Sequence, residues 1–113
     1  MKKCHYSEVP TEPVTSEGAE GVTIQWLIQA SDGAPTFAMR RFEIAPGGHT
    51  PLHSHDWEHE VYILSGEGVV LGADGEQRFA PGDVIFMPPA ERHTFRNDGA
   101  EPVCMLCLVP LTD

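Results

Sequence analysis

Gly47-Gly-His-Thr-Pro-Leu-His-Ser-His-Asp-Trp-Glu-His-Glu-Val-Tyr-Ile-Leu-Ser-Gly66 is the stretch on which the reading of this chain turns. It holds four of the six histidines, three of them at positions 53, 55 and 59. His53 and His55 are two apart, so on an extended strand both imidazoles leave the same face. His59, four residues further, has the parity to return to that face, with Asp56-Trp57-Glu58 turning between. Three imidazoles converging on one point outline a metal site. A lone histidine is more often a core or surface residue than a ligand. Three within seven residues, two of them at strand spacing, favour the ligand reading.

A second stretch, Gly82-Asp-Val-Ile-Phe-Met-Pro-Pro-Ala-Glu-Arg-His-Thr-Phe-Arg-Asn97, raises the case. A turn at Ala80-Pro81-Gly82-Asp83 starts an apolar strand, Pro88-Pro89 stops it, and His93 opens another. Together the two stretches resemble the cupin family. Its first motif is a glycine, five residues, His-x-His, three or four residues, glutamate, six residues and glycine. Gly47, His53, His55 and Gly66 fall on it. His59 stands where the shorter gap puts the glutamate, and Glu60 fits the longer gap. The second motif is a glycine, five residues, Pro-x-Gly, two residues, histidine, three residues and asparagine. Gly82, Pro88, His93 and Asn97 match it, with Ala90 in place of the second glycine. The whole chain is similar to small single-domain bacterial cupins that bind metal through four histidines.

That resemblance implies an all-β chain folded as a double-stranded β-helix, or jelly-roll barrel. It implies a single cupin domain over residues 1–113, with an arm over 1–20 and the barrel over 21–110. It brings His93 to His53, His55 and His59, and implies one divalent transition-metal ion per chain. Manganese or iron is favoured, and ligand type also admits nickel, copper or zinc.

Composition agrees with such a fold. One domain fits the length, and 11 glycines and 10 prolines with short apolar segments suit many strands joined by tight turns. The formal net charge of −10 excludes non-specific nucleic-acid binding. No apolar run approaches the length of a membrane span. Lys2-Lys3 is not followed by an apolar segment, so no signal peptide is read and a cytoplasmic protein is expected. Cys104-Met-Leu-Cys107 has redox or zinc spacing, yet it lies in the apolar run Val103–Val109. Residues three apart on a strand face opposite sides, so the two thiols cannot meet there and a structural role is expected.

Along the chain, residues 1–20 read as a polar arm with a short strand near Cys4–Val9, packed on a partner subunit in a homodimer. Strands are expected at 22–29, 36–45, 59–65, 69–71, 76–79, 84–87, 92–97 and 102–110, with the histidine strand between the second and third. On the second, Arg40 shares parity with Phe42 and Ile44 and Arg41 with Glu43, so Arg40 is expected to face inward. A buried cation needs a partner. Here that is the anion of a substrate. Phe42, Val61, Phe95, Met105 and Cys107 are the candidate cavity lining, although both faces of the last strand are apolar. Glu60 should point away, Asp56 and Glu58 could orient a ligand imidazole, and His5 and His49 are read as non-ligands.

The function implied is that of a metal-dependent oxygenase or related oxidoreductase on a small anionic or enolisable substrate. Alternatives are a non-redox metal-dependent isomerase or lyase, and a small-molecule-binding module without turnover. One fold hosts many chemistries, so the site must decide.

Overall fold

Short apolar runs separated by turn residues become nine strands in the computed structural model, which describes residues 1–111. Positions 112 and 113 of the expected domain lie outside the described residues. The strands are β1 (Glu12–Pro13), β2 (Glu20–Ile28), β3 (Phe37–His49), β4 (His59–Ser65), β5 (Gly68–Gly72), β6 (Gly75–Phe79), β7 (Val84–Met87), β8 (Thr94–Arg96) and β9 (Val103–Pro110). All pairings are antiparallel, in the order β6-β5-β8-β3-β9-β4-β7, with β2 also on β3 and β1 on β2. The chain is thus an all-β jelly-roll barrel. No described helix is long and apolar enough to cross a membrane.

The long strand β3 serves both halves of the barrel. Phe37–Ile44 pairs with β9, and His49 pairs with Arg96 of β8. The strand crosses over at Pro46-Gly47-Gly48. A side chain at Gly48 would meet Glu20 O at 2.6 Å, so only glycine passes this point.

Period-two alternation sorts the side chains. On β4, His59, Val61 and Ile63 are buried, and Glu60, Tyr62 and Leu64 are exposed. On β9, where both faces are apolar in sequence, the structure puts Val103, Met105, Cys107 and Val109 into the core. Ile44, Ile63, Val103 and Met105 are fully buried. Each is worth roughly 1.5–3 kcal/mol, whereas a solvent-screened ion pair as exposed as Arg78–Asp98 adds little. The core, not surface charge, holds the barrel.

Two expectations fail. Cys4–Val9 is not a strand but a 3₁₀ turn over Tyr6–Glu8. His5 Nδ1 accepts from Ser7 N at 3.2 Å, and the Glu8 carboxylate accepts from His5 N at 2.8 Å. Local side-chain bonds of this kind outcompete strand pairing. The arm also lies on its own barrel: β1 pairs with β2, Val14 N donates to Val22 O, and Gln25 Nε2 donates to Tyr6 O and Val9 O. The histidine strand expected ahead of the turn at 56–58 is instead part of a loop over residues 50–58, with a single bridge between His53 and His93. Pro51 interrupts the pairing there.

Asn97 ties the crossover together. It is fully buried, donates from Nδ2 to Ile44 O (2.9 Å) and Glu101 O (2.8 Å), and accepts from Gly99 N. Asn97→Ala would orphan two carbonyls and an amide. Urea unfolding should show a loss of about 2–4 kcal/mol. A loss below about 1 kcal/mol would mean that water replaces the side chain.

Candidate metal centre

Four imidazoles meet at one end of the core. His53 and His55 come from the loop after β3, His59 opens β4, and His93 immediately precedes β8. Ring centroids lie 4.2 Å apart for His53–His55, 5.2 Å for His53–His93 and 5.2 Å for His55–His93. One ligand atom from each of these three lies within 4.8 Å of the others. His59 stands beside them, 4.7 Å from His55 and 5.1 Å from His93.

Main-chain bonds bring these residues together from two distant stretches. His53 and His93 exchange N–H···O bonds of 3.2 and 2.9 Å, and Ala90 N donates to His55 O at 2.6 Å. Ala90, which stands where the motif has glycine, takes φ 66°. Two residues, Pro51 and Leu52, lie between Thr50 and His53, against one, Thr94, between their partners Phe95 and His93. The extra residue acts as a bulge does beside many sites, re-aiming the side chain that follows.

The donor set suits a divalent ion. His59 is buried, and its Nε2 has no hydrogen-bond partner among the described residues. An orphaned polar atom costs about 1–3 kcal/mol unless something meets it. Burial, above all, pushes the His59 imidazole down to about 3, with Arg40 and the neighbouring rings adding repulsion. The same causes push His55 down to about 4, burial again leading. His53 is lowered chiefly by desolvation. Rings that stay neutral keep the lone pair that coordinates a metal. His93 Nδ1 lies 2.8 Å from Glu91 O, which can only accept, so its Nε2 is free for the same task.

Arg40 faces the imidazoles. Its guanidinium lies 4.9 Å over Phe42 and 5.6 Å over Trp26. Its Nη2 donates to Cys107 Sγ at 3.0 Å and sits 3.2 Å from His59 Nδ1, and its Nε is buried without a partner. Arg41 faces the other way, over Tyr6 and bonded to Gln25 and Cys104. Cys104 and Cys107 are both free and on opposite faces. Burial raises the Cys107 thiol above its ordinary value.

These groups line a cavity of about 360 Å³ whose walls include Phe42, Val61, Phe95, Met105 and Cys107. No aspartate or glutamate lines it among the described residues. Glu60 is exposed on the outer face, and neither Asp56 nor Glu58 bonds to a site imidazole among the described residues. His5 caps the arm and His49 lies on β3 near Glu20, both apart from the cluster. Sequence reasoning missed three contributors. Trp26 was legible, since it shares parity with Val22 and Ile24. Trp57, stacked on His55 at 4.8 Å, and Val14-Thr15-Ser16 of the arm carried no local signal.

Residues 40–109 match the model of a family described as the cupin domain. The chain is 36% identical over 104 residues to a 1-methylthio-D-xylulose 5-phosphate methylsulfurylase of Rhodospirillum rubrum, covering 92% of this chain and 62% of that protein. It is 35% identical over 72 residues to an oxalate-binding protein of Thermotoga maritima, covering 63% and 60%. The chain therefore spans about three fifths of the length of these curated relatives. Among solved structures, the polyketide cyclase RemF from Streptomyces resistomycificus superposes with a TM-score of 0.92 at 37% identity, covering 97% of this chain and 79% of that one.

The depressed imidazoles set a pH dependence for the metal-free protein. Their folded-state values lie below the ordinary 6.5, so on acidification the unfolded chain takes up protons first. Stability should be full above pH 6.5 and fall as pH drops toward about 4 for His55 and about 3 for His59. Urea midpoints of chelator-treated protein at pH 7.5 and 5 would read this, with a smaller drop in His59→Gln. Equal midpoints at both pH values would show that the rings are solvated.

Proposed function

We propose that this chain, which belongs to the cupin family, is a metal-dependent enzyme acting on a flat, anionic or enolisable small organic molecule. One observation carries the reading: a half-buried arginine, its Nε buried and unpartnered, beside a cluster of neutral imidazoles, in a cavity with no described carboxylate. His53, His55, His59 and His93 would hold one divalent transition-metal ion, manganese or iron in first place. When bound, such an ion supplies Lewis-acid polarisation of a substrate oxygen and, if redox-active, access to dioxygen chemistry.

The chain's own residues do the rest. Arg40 binds the anion, because it stays charged in a site with no described acid to neutralise it. Trp26 and Phe42 hold the guanidinium from its sides and offer a flat apolar wall to a planar substrate. Val14, packed on the core from the arm, keeps water from one side of the cavity. With His59 where the motif allows a glutamate, no described protein carboxylate competes with the substrate anion.

Two chemistries fit. Four protein ligands would leave room on a six-coordinate ion for substrate and dioxygen, which supports an oxygenase or related oxidoreductase. The likeness to a polyketide cyclase supports a non-redox reading, in which an enolised substrate is held and polarised. The likeness to an oxalate-binding protein supports anion recognition in either case, and fits binding without turnover as well. The outer face of β4 and β7 exposes Tyr62 (47%), Val84 (75%) and Phe86 (59%), which supports a homodimer across this face.

Protein purified without a polyhistidine tag should carry a transition metal, and His93→Ala should lower its content or affinity. Stoichiometric metal at unchanged affinity in His93→Ala would remove that residue from the centre. Arg40→Leu should keep the ion but weaken oxalate binding to cobalt-loaded protein by about 1.5–3 kcal/mol. Unchanged affinity there, with a loss in Arg41→Leu, would mean the wrong arginine. With acetylacetone as an enolisable probe, oxygen uptake by iron-loaded protein supports the oxygenase. Probe deuterium exchange without oxygen uptake supports the non-redox reading. Sedimentation at micromolar concentration should give the mass of two chains, and Phe86→Asp the mass of one. A wild-type monomer would refute the pairing.

A further inference from the structure

The hydrogen bonds around His59 depend on which ring nitrogen carries its hydrogen. His59 Nδ1 has two polar neighbours, Arg40 Nη2 at 3.2 Å and Cys107 Sγ at 3.3 Å. A guanidinium only donates. When Arg40 donates to Nδ1, the neutral ring carries its hydrogen on Nε2. That is the buried atom with no described partner, and in this tautomer it has no lone pair for an ion. Ligation through Nε2 requires the hydrogen on Nδ1, where it would point at an N–H of Arg40. The one acceptor then within reach among the described residues is the sulfur of Cys107.

We propose that Cys107 is a positioning residue of the metal centre. Its sulfur accepts the Nδ1 hydrogen of His59 when Nε2 takes an ion, and Nδ1 then no longer accepts from Arg40. This rests on the reading of His59 as a ligand.

Three features of the structure support the exchange. Cys107 is 5% exposed and lies opposite both Arg40 on β3 and Val61 on β4, so its sulfur is fixed between the two strands. Arg40 Nη2 already donates to that sulfur at 3.0 Å. The guanidinium therefore keeps one acceptor after losing the other, and a sulfur can accept from both donors. His93 supplies the contrast, for its Nδ1 faces a backbone carbonyl that can only accept. Its Nε2 is ready before an ion arrives, whereas His59 must switch. The switch also frees Arg40 from one neighbour, so ion and substrate anion should favour each other's binding.

Zinc is the probe, because it is diamagnetic and takes imidazole ligands. Nitrogen-15 spectra of the histidine rings should show His59 protonated on Nε2 in the metal-free protein and on Nδ1 after zinc loading. Cys107→Val, which removes the acceptor at similar size, should bind zinc about 10–100-fold more weakly. Cys107→Ser, which keeps an acceptor, should stay within about threefold of wild type. Circular dichroism reports whether each variant is folded. If Cys107→Val does not fold, the ring spectra and the serine variant still decide. A His59 ring already protonated on Nδ1 without zinc overturns the switch, and wild-type zinc affinity in Cys107→Val overturns the role of the sulfur. Wild-type protein that binds no transition metal sinks the metal reading itself, a separate result.

Discussion

The site depends on a short run of main-chain hydrogen bonds between two stretches forty to fifty residues apart. Gly47 N and Gly48 O bond to Asn97, Thr50 N to Phe95 O, and His53 and His93 to each other in both directions. Backbone bonds of this kind are individually modest, about 0.5–1.5 kcal/mol net, but here they also set register. They carry the end of β3 from one half of the barrel to the other and deliver the two histidine stretches to one place. Asn97 closes the far end of the ladder from full burial, which is why a single side chain there matters to the whole crossover.

What the ladder assembles is a charge problem left open on purpose of shape. The chain carries a formal net charge of −10, yet no described acid lines the cavity. A guanidinium stays ionised where an imidazole gives up its proton, because the two differ by several pKa units at the start. Burial, with Arg40 and the neighbouring rings adding repulsion, therefore keeps these rings neutral, and neutral rings are metal ligands. The aromatic faces of Trp26 and Phe42 lessen the cost of burying the cation without cancelling its charge. A cavity built this way selects for anions by subtraction, since the protein offers none of its own.

Much of this was legible in particular residues. Alternation along Val61–Ile63 and Phe42–Ile44 separated core from surface, and it separated Arg40 from Arg41 because neighbours on a strand must diverge. The same rule parted Cys104 from Cys107. It could not choose a face of β9, where both rows are apolar and only packing against β3 and β4 decides. The period-two argument for His53 and His55 fared differently. The two rings do lie together, but on a loop that Pro51 removes from the sheet, so a strand rule pointed to a proximity that loop geometry produces. The arm was misread because its local bonds, His5 to Ser7 and Glu8 to His5, leave no periodic trace.

The amino-acid sequence by itself determined the all-β class and most strand positions within a few residues, while the family resemblance, not a local pattern, pointed His93 toward the other three histidines. The class and the strand positions follow from local rules: side-chain alternation and turn residues act over a handful of bonds. Tertiary structure alone decided that the arm folds back over the cavity, that Trp57 stacks on His55, and that His59 Nδ1 meets Arg40 and Cys107 together. The His59 contacts join side chains from separate strands, 19 and 48 residues apart. Their geometry is set by register and packing across the sheet, and no local pattern in the chain encodes which nitrogen faces which neighbour.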